Sequence, residues 1–329
     1  SRPSMIPNKD LGWEISRTAN FGVDFGLWNN RISGYIEGYI TKTSDLLMER
    51  TLPFFTGFSK VWQNIGKTEN KGIELNIQAN TLKTKSFSWE TTVTFARNWN
   101  KITELLGGGD IRNNSWFIGK PLQVHYNYEM IGVWQLGEEK EAQKYGAIPG
   151  DIKVKDQNND GSIGELDKVI LGQKDPKIIA SLLNSFRFGA FDASINLNMN
   201  FGSLIHPNTY ASLITRDGLR WMPSNFKYWT PDNPTNEYTR ADKLSGYDPF
   251  AGTGGYMKGD YIKIQDITLG YDFSKIMPKN WKILRARLYA QVRNLGYIYK
   301  ACKNDVSPEA PDFDYNIPTT YTMGINIDF

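Results

Sequence analysis

The 329-residue chain predicts an all-β fold, the antiparallel wall of a transmembrane β-barrel with long extracellular loops. Three observations predict it. Segment after segment alternates apolar and polar residues, the period of a strand. In the last strand, Thr319 to Phe329, one face is apolar without interruption. The polar face of the segments is rich in Asn, Asp, Gln, Arg and Tyr, which suit a wet lumen, whereas a soluble sandwich tends to expose Lys, Glu and Thr. Finally, short and long links alternate, as they do between the two rims of a membrane barrel.

The first strand is Asn20 to Leu27, with Phe21, Val23, Phe25 and Leu27 on one face. Trp28-Asn29-Asn30 reads as a turn, since Asn tolerates positive φ. Arg31 to Thr43 follows with Ile32, Ile36 and Ile40 in phase, and Leu47 to Lys71 reads as an irregular link. Gly72 to Asn80 and Phe87 to Asn98 alternate on either side of Lys83-Thr84-Lys85-Ser86. Residues 99–177 are expected to form a long external loop, in which His125 to Gln135 is strand-like but does not cross the membrane. Ile178 to Phe188 and Phe191 to Phe201 are joined at Gly189-Ala190, and the latter is the cleanest alternation in the chain. Residues 202–259 form a second long loop. Tyr261 to Phe273 slips phase near Gln265-Asp266, which predicts a bulge. Leu284 to Leu295 and Thr319 to Phe329 complete the wall. In the last strand Tyr321, Met323, Ile325, Ile327 and Phe329 share a face, and the terminal aromatic is expected to serve as the assembly signal of an outer-membrane barrel.

Composition bounds the function. The formal net charge of +3 leaves no footprint for nucleic acid. No apolar run is long enough for a membrane helix, which does not exclude a barrel. Cys302 is the single cysteine, so no intrachain disulfide framework exists. Ser1-Arg2-Pro3 carries no apolar signal segment, so the expectation is a chain that is mature or cut from something longer. Strands of about ten residues suit a tilted crossing, and a sheet in lipid has to close. About nine wall strands with an inward first strand cannot close as an even barrel. Their parity fits the carboxy-terminal portion of a barrel of about 22 strands.

The order and spacing of several short motifs carry a resemblance. They include Val23-Asp24-Phe25-Gly26, Trp62-Gln63-Asn64-Ile65-Gly66 and Asn70-Lys71-Gly72-Ile73-Glu74. Gly132-Val133-Trp134-Gln135, Pro149-Gly150-Asp151-Ile152-Lys153 and Tyr228 through Thr235 follow. Asp260 to Ile264, Thr268-Leu269-Gly270-Tyr271 and Arg293-Asn294-Leu295 complete the set. With these the chain resembles the carboxy-terminal third of a SusC/RagA-type TonB-dependent outer-membrane transporter of Bacteroidetes. The resemblance implies import of oligosaccharides or peptides, a SusD-like lipoprotein over the external mouth, and energy from TonB through a plug that has no counterpart in this sequence. It implies no chemistry on the substrate. A surface-binding or adhesin barrel with calcium-stabilised loops is the alternative.

Two sets of site residues stand out. Asp156, Asn158, Asp160, Ser162 and Asp167 occupy positions one, three, five, seven and twelve of a calcium-loop spacing, with Gly161 at the sharp turn. The twelfth residue is Asp where Glu is usual, no helices flank the loop, and an Asx-rich turn without metal is the plain alternative. Trp116, Trp134, Trp221 and Trp229 lie in the external segments, where aromatic faces suit sugar rings, a partner surface or ordinary loop packing. His125 and His206 have no Ser or Cys partner motif, and lumen carboxylates such as Glu74 and Glu90 read as pore lining. No catalytic residue is expected.

Overall fold

The computed structural model describes residues 5–215, 226–240, 250, 252–278, 283–303, 306–312 and 317–329. In chain order its elements begin with β1 (Met5–Ile6), β2 (Ile15–Leu27), β3 (Ile32–Thr51), β4 (Lys60–Lys83) and β5 (Phe87–Leu105). The first long loop holds β6 (Val124–Tyr128), β7 (Met130–Val133), α1 (Glu139–Lys144), β8 (Ile152–Val154) and β9 (Lys168–Gln173). Then come β10 (Ile178–Phe188), β11 (Phe191–Phe201), β12 (Leu204–Ile205), α2 (Asn208–Thr215) and β13 (Met257–Lys258). The chain ends with β14 (Tyr261–Asp272), β15 (Arg285–Lys300) and β16 (Thr320–Asp328).

The wall is one sheet in the order β16-β15-β14-β11-β10-β5-β4-β3-β2, antiparallel throughout, with β1 added parallel to β4. The sheet is open among the described residues, an arc of a barrel. The predicted wall strands are all present. Trp28, Asn29 and Asn30 take φ of 50°, 56° and 60° and reverse the chain between β2 and β3. At the next turn Phe87 N donates to Thr84 Oγ1 at 3.0 Å, and Gly189 turns β10 into β11 at φ 60°. The expected bulge lies at Gln265: Asn196 pairs with Asp266 but Leu197 with Ile264. His125 to Gln135 stays off the wall, because β6 pairs with β9 and β7 with β8.

One expectation fails. Most of Leu47 to Lys71 is not an irregular link, since β3 runs on to Thr51 and β4 starts at Lys60, the two pair up to Thr51–Lys60, and only residues 52–59 connect them. Asp45 takes φ 55°, and the register shifts between Thr43 and Leu46 and again at Leu47. A bulge breaks the period of two while backbone pairing continues, so alternation alone misses the strand. Likewise β5 continues to Leu105, and the first long loop starts at 106, not 99.

The two faces of the wall differ as expected. Phe21, Met323 and Phe329 are 76%, 76% and 82% exposed on the outer face. Each such side chain left in water forgoes about 2 kcal/mol of burial, so this face requires lipid. The lumen face is tied by side-chain hydrogen bonds, among them Asn196 Nδ2 to Asp266 Oδ2 at 3.2 Å and Arg287 Nε to Asp192 Oδ1 at 2.9 Å. Tyr39 lies over Gly72, where a Cβ would sit 2.3 Å from its ring. No described helix is long and apolar enough to cross a membrane. The buried clusters sit at the loop end. One is Met48, Ile65, Ile102 and Leu105; the other is Tyr210, Tyr238, Cys302 and Val306.

Candidate functional site: the loop-covered mouth

Three long loops leave the wall at the same end, after β5, β11 and β15, and they interlock. The first joins the second through Trp229 Nε1, which donates to Gln135 Oε1 at 2.8 Å, and through Gln135 Nε2, which donates to Thr235 O at 3.1 Å. Arg240 Nε meets Asp151 Oδ1 at 2.8 Å, and Arg240 N donates to Gly150 O at 2.8 Å. Gly150 takes φ 92°, and a Cβ there would lie 2.6 Å from Trp229 and 2.7 Å from Arg240. Only glycine permits that approach. The second loop joins the third through Asn208 N, which donates to Asp312 Oδ1 at 2.6 Å, and through the Lys303–Glu237 ion pair.

The third loop is pinned to the lumen wall. Lys263, with 4% of its side chain exposed, meets Glu309 Oε2 at 2.7 Å. Tyr297 Oη donates to the same oxygen at 2.7 Å, and Asn200 Nδ2 donates to Tyr261 Oη at 2.9 Å. A buried ammonium is tolerated only with a counter-charge, and Glu309 supplies it. Sequence reasoning missed this set. Its one legible signal is a Lys on the lumen phase of β14, two residues from Tyr261.

The two histidines, distant in sequence, meet in this region. Tyr256 packs between them, its ring centre 5.0 Å from that of His125 and 4.3 Å from that of His206. His125 Nε2 donates to Leu204 O at 2.9 Å and His206 Nε2 bonds Gly252 O at 2.8 Å. Burial pushes the His125 pKa down to about 4, with minor contributions in the same direction from Lys174 and His206.

The tryptophans divide. Trp134 and Trp229 are each 6% exposed, and their rings are covered by protein. Trp134 stacks on Tyr145 at 6.0 Å, and Lys153 Nζ lies 4.2 Å from its ring centre. Trp116 packs partly buried against the Met48 cluster. Trp221 lies outside the described residues. Three of the four indoles therefore serve the loop packing.

In the Asp156–Asp167 loop, Asp156 accepts from Asn159 N at 2.7 Å and Gly161 N at 2.9 Å. Asp160 accepts from Ser162 N and Oγ, both at 2.8 Å, and these bonds with one from Asn158 hold its carboxyl below the usual range. Asn159 and Gly161 take φ of 59° and 83°, which coils the turn. Asp167 is 1% exposed and accepts Gln157 N at 2.8 Å and Gly164 N at 2.7 Å, so it ties the loop's ends together. The donors are all oxygen, the chemistry of a hard cation. No three His, Cys, Asp or Glu side chains among the described residues are grouped to hold a metal, so a cation would rest on Asp156 and Asp160 with the oxygens of Asn158 and Ser162. Phe329 lies just past β16, on the exposed outer face with Ile327.

The family described as "TonB dependent receptor-like, beta-barrel" matches residues 3–295. TonB-dependent receptor P26 of Formosa agariphila is 27% identical over 365 residues, which take in 100% of this chain and 36% of that protein. TonB-dependent receptor SusC of Bacteroides thetaiotaomicron is 29% identical over 346 residues, with 100% and 33% covered. Among solved structures, that of the RagAB peptide transporter superposes with a TM-score of 0.78 at 21% identity, covering 98% of this chain and 36% of that one. At that identity the likeness is one of fold. The chain spans about a third of the length of the relatives it matches.

Proposed function

Because the chain belongs to the TonB-dependent receptor β-barrel family and forms wall and loops of an outer-membrane barrel, we propose that it is the carboxy-terminal part of a TonB-dependent importer of oligosaccharides or peptides. A SusD-like surface lipoprotein closes on the interlocked loops from outside, and TonB acts through a plug contributed by other parts of the full-length protein. The observation that carries this reading is the third loop, held to the polar lumen wall by Lys263 and Glu309. A loop body fixed over a wet lumen gives cargo an entrance with a defined shape. The relatives' names, receptors all, support the same reading.

The test is uptake by intact cells that carry or lack the full-length gene, given labelled oligosaccharide and peptide pools with and without a protonophore. Loss of energy-dependent accumulation on deletion is expected, and the pool affected assigns the cargo. Surface binding lost with accumulation of both pools unchanged would instead establish an adhesin.

A divalent cation, calcium by donor type, belongs to this reading as a stiffener of the Asp156–Asp160 turn. Asp156→Ala with Asp160→Ala should abolish calcium protection of the 106–177 loop against protease while leaving the wall folded. Equal cleavage of the unaltered receptor in calcium and in chelator refutes it.

A further inference from the structure

The outer face of the wall is not uniformly apolar. On the β2–β5 side a set of cations projects from it, in the phase of the lipid-facing residues. Arg17 pairs in register with Lys42, one step beyond the Ala19–Ile40 pair, and Lys42 pairs with Glu69. Lys71 pairs with Trp99 and Glu69 with Lys101, one step beyond the Ile73–Arg97 pair. Antiparallel partners share a face, so Arg17, Lys42, Lys67, Lys71, Arg97 and Lys101 all lie on the side of Phe21, Ile40 and Ile73. Their carboxylate neighbours are Glu69, Glu104 and, near Lys67, Asp45.

Glu69 sits at the centre. Its carboxylate lies 3.1 Å from Lys101 Nζ, 3.2 Å from Lys71 Nζ and 3.9 Å from Lys42 Nζ. Its side chain is 12% exposed, while those of the three lysines are 47–69% exposed. One partly covered carboxylate thus gathers three ammonium groups that it cannot neutralise, and each keeps donors turned outward. Arg97 stacks over the Trp99 ring at 4.7 Å, the kind of aromatic found at a membrane interface.

Height on the wall decides what meets this cluster. From the short turn, Leu27 and Ile32 lead ten residues along β2 and β3 to Arg17 and Lys42. That is about 33 Å along a strand, or about 23 Å of height at a tilt of roughly 45°. The apolar band of such a barrel is about 25 Å tall. The cluster therefore stands at the top of the band on the long-loop side, at the level of the outer leaflet's headgroups. A groove of about 660 Å³ runs beside it, cationic at Arg17, Lys42 and Lys67 and apolar below them at Ala19 and Ile40, with Ile15 above. Its polar part faces headgroups and its apolar part continues into the band.

We infer that this cluster is a binding site for a lipid of the outer leaflet whose headgroup carries phosphate. The excess of cations gives charge complementarity, the apolar residues below take the first part of an acyl chain, and the phosphate competes with Glu69 for the three lysines. The site is independent of the cargo and of the partner lipoprotein.

Native mass spectrometry of the full-length receptor in detergent tests it, with monophosphoryl lipid A, the same lipid with its phosphate removed, and inorganic phosphate as probes. The phosphorylated lipid should be retained, the dephosphorylated lipid should not, and inorganic phosphate at about a thousandfold excess over the lipid should fail to displace it. Lys42→Gln with Lys71→Gln and Lys101→Gln should lower retention by on the order of a hundredfold, at about 1 kcal/mol per basic residue near an anionic surface. Glu69→Gln should raise retention. Lys83→Gln with Lys85→Gln, at the opposite rim, should leave it unchanged. Equal retention of the two lipids, displacement by inorganic phosphate, or equal losses at both rims would overturn the inference. The two lipids and the Glu69 variant decide the matter even if the triple variant fails to assemble.

Discussion

At the scale of single residues, the Lys263–Glu309 pair is the contact on which the third loop depends. The wall holds the ammonium and the loop holds the carboxylate, so the pair exists only while the loop is docked. Glu309→Gln leaves a buried cation with no counter-charge, a loss on the order of 3 kcal/mol. Limited proteolysis of the full-length receptor should then cut the 301–319 segment far faster than in the parent protein. An unchanged cleavage rate would show that the loop is held elsewhere. Replacing both partners, Lys263→Met with Glu309→Leu, should recover much of the protection, because no charge is then stranded.

His125 gives the mouth a pH dependence whose sign follows from its burial. Its pKa falls from 6.5 unfolded to about 4 folded, so between those values the unfolded loop binds more protons than the folded one. The contribution of a neutral His125 is complete above pH 6.5 and is lost as pH drops toward 4. Protection of residues 124–128, taken relative to the intrinsic exchange rate, should therefore fall as pH drops through that window, and His125→Gln should flatten the profile. An exchange rate that rises above pH 6.5 faster than intrinsic base catalysis would contradict the assignment.

At the scale of elements, alternation made the wall legible and its interruptions hid the rest. Phe191 to Phe201 keeps strict period two, and β11 has those bounds. The bulge at Gln265 was legible because Ile262 and Ile264 on one side and Ile267 and Leu269 on the other declare both phases. The outer halves of β3 and β4 were not, since Asp45 at φ 55° and the shifts around Leu46 scramble the pattern. There the strands are held by backbone pairing and by the small core around Ile102. The last strand makes a prediction at this scale. Phe329 continues the outward row of Tyr321, Met323, Ile325 and Ile327, so its removal takes away the final lipid-facing aromatic while leaving the β15 ladder intact. Deleting Phe329 from the full-length protein should reduce its amount in the outer membrane several-fold, read by blotting of fractionated membranes. A normal level would remove any role in assembly.

At the scale of the molecule, the loops behave as one body. Contacts such as Trp229 to Gln135 and Asn208 to Asp312 join residues about a hundred positions apart, and no periodicity in the sequence announces them. For the same reason the tryptophans were ambiguous: an indole in a loop reads alike whether it awaits a ligand or already packs on Tyr145 or Gln135. Gly150 is where the first two loops come closest. Gly150→Ala forces a Cβ into Trp229 and Arg240 and imposes a left-handed backbone on alanine, at a cost of about 1–2 kcal/mol before the clash. Protection of 130–155 and of 228–240 against hydrogen exchange should fall together. A fall in one stretch alone would show that the loops move separately.

The interlocking also determines how the cell surface presents this protein to anything that recognises shape. Within the described residues, the outermost surface is a mosaic of stretches drawn from three separate parts of the chain, joined through Gly150, Trp229 and Asp312. An antibody raised against a linear peptide from any one stretch meets only a fragment of that mosaic. One raised against the folded receptor reads all three and loses its target on denaturation. Exchange of the second loop alone between related receptors would break the mosaic at two joints, and exchange of the first or third at one, so variation in this surface has to be inherited as a matched set of loops.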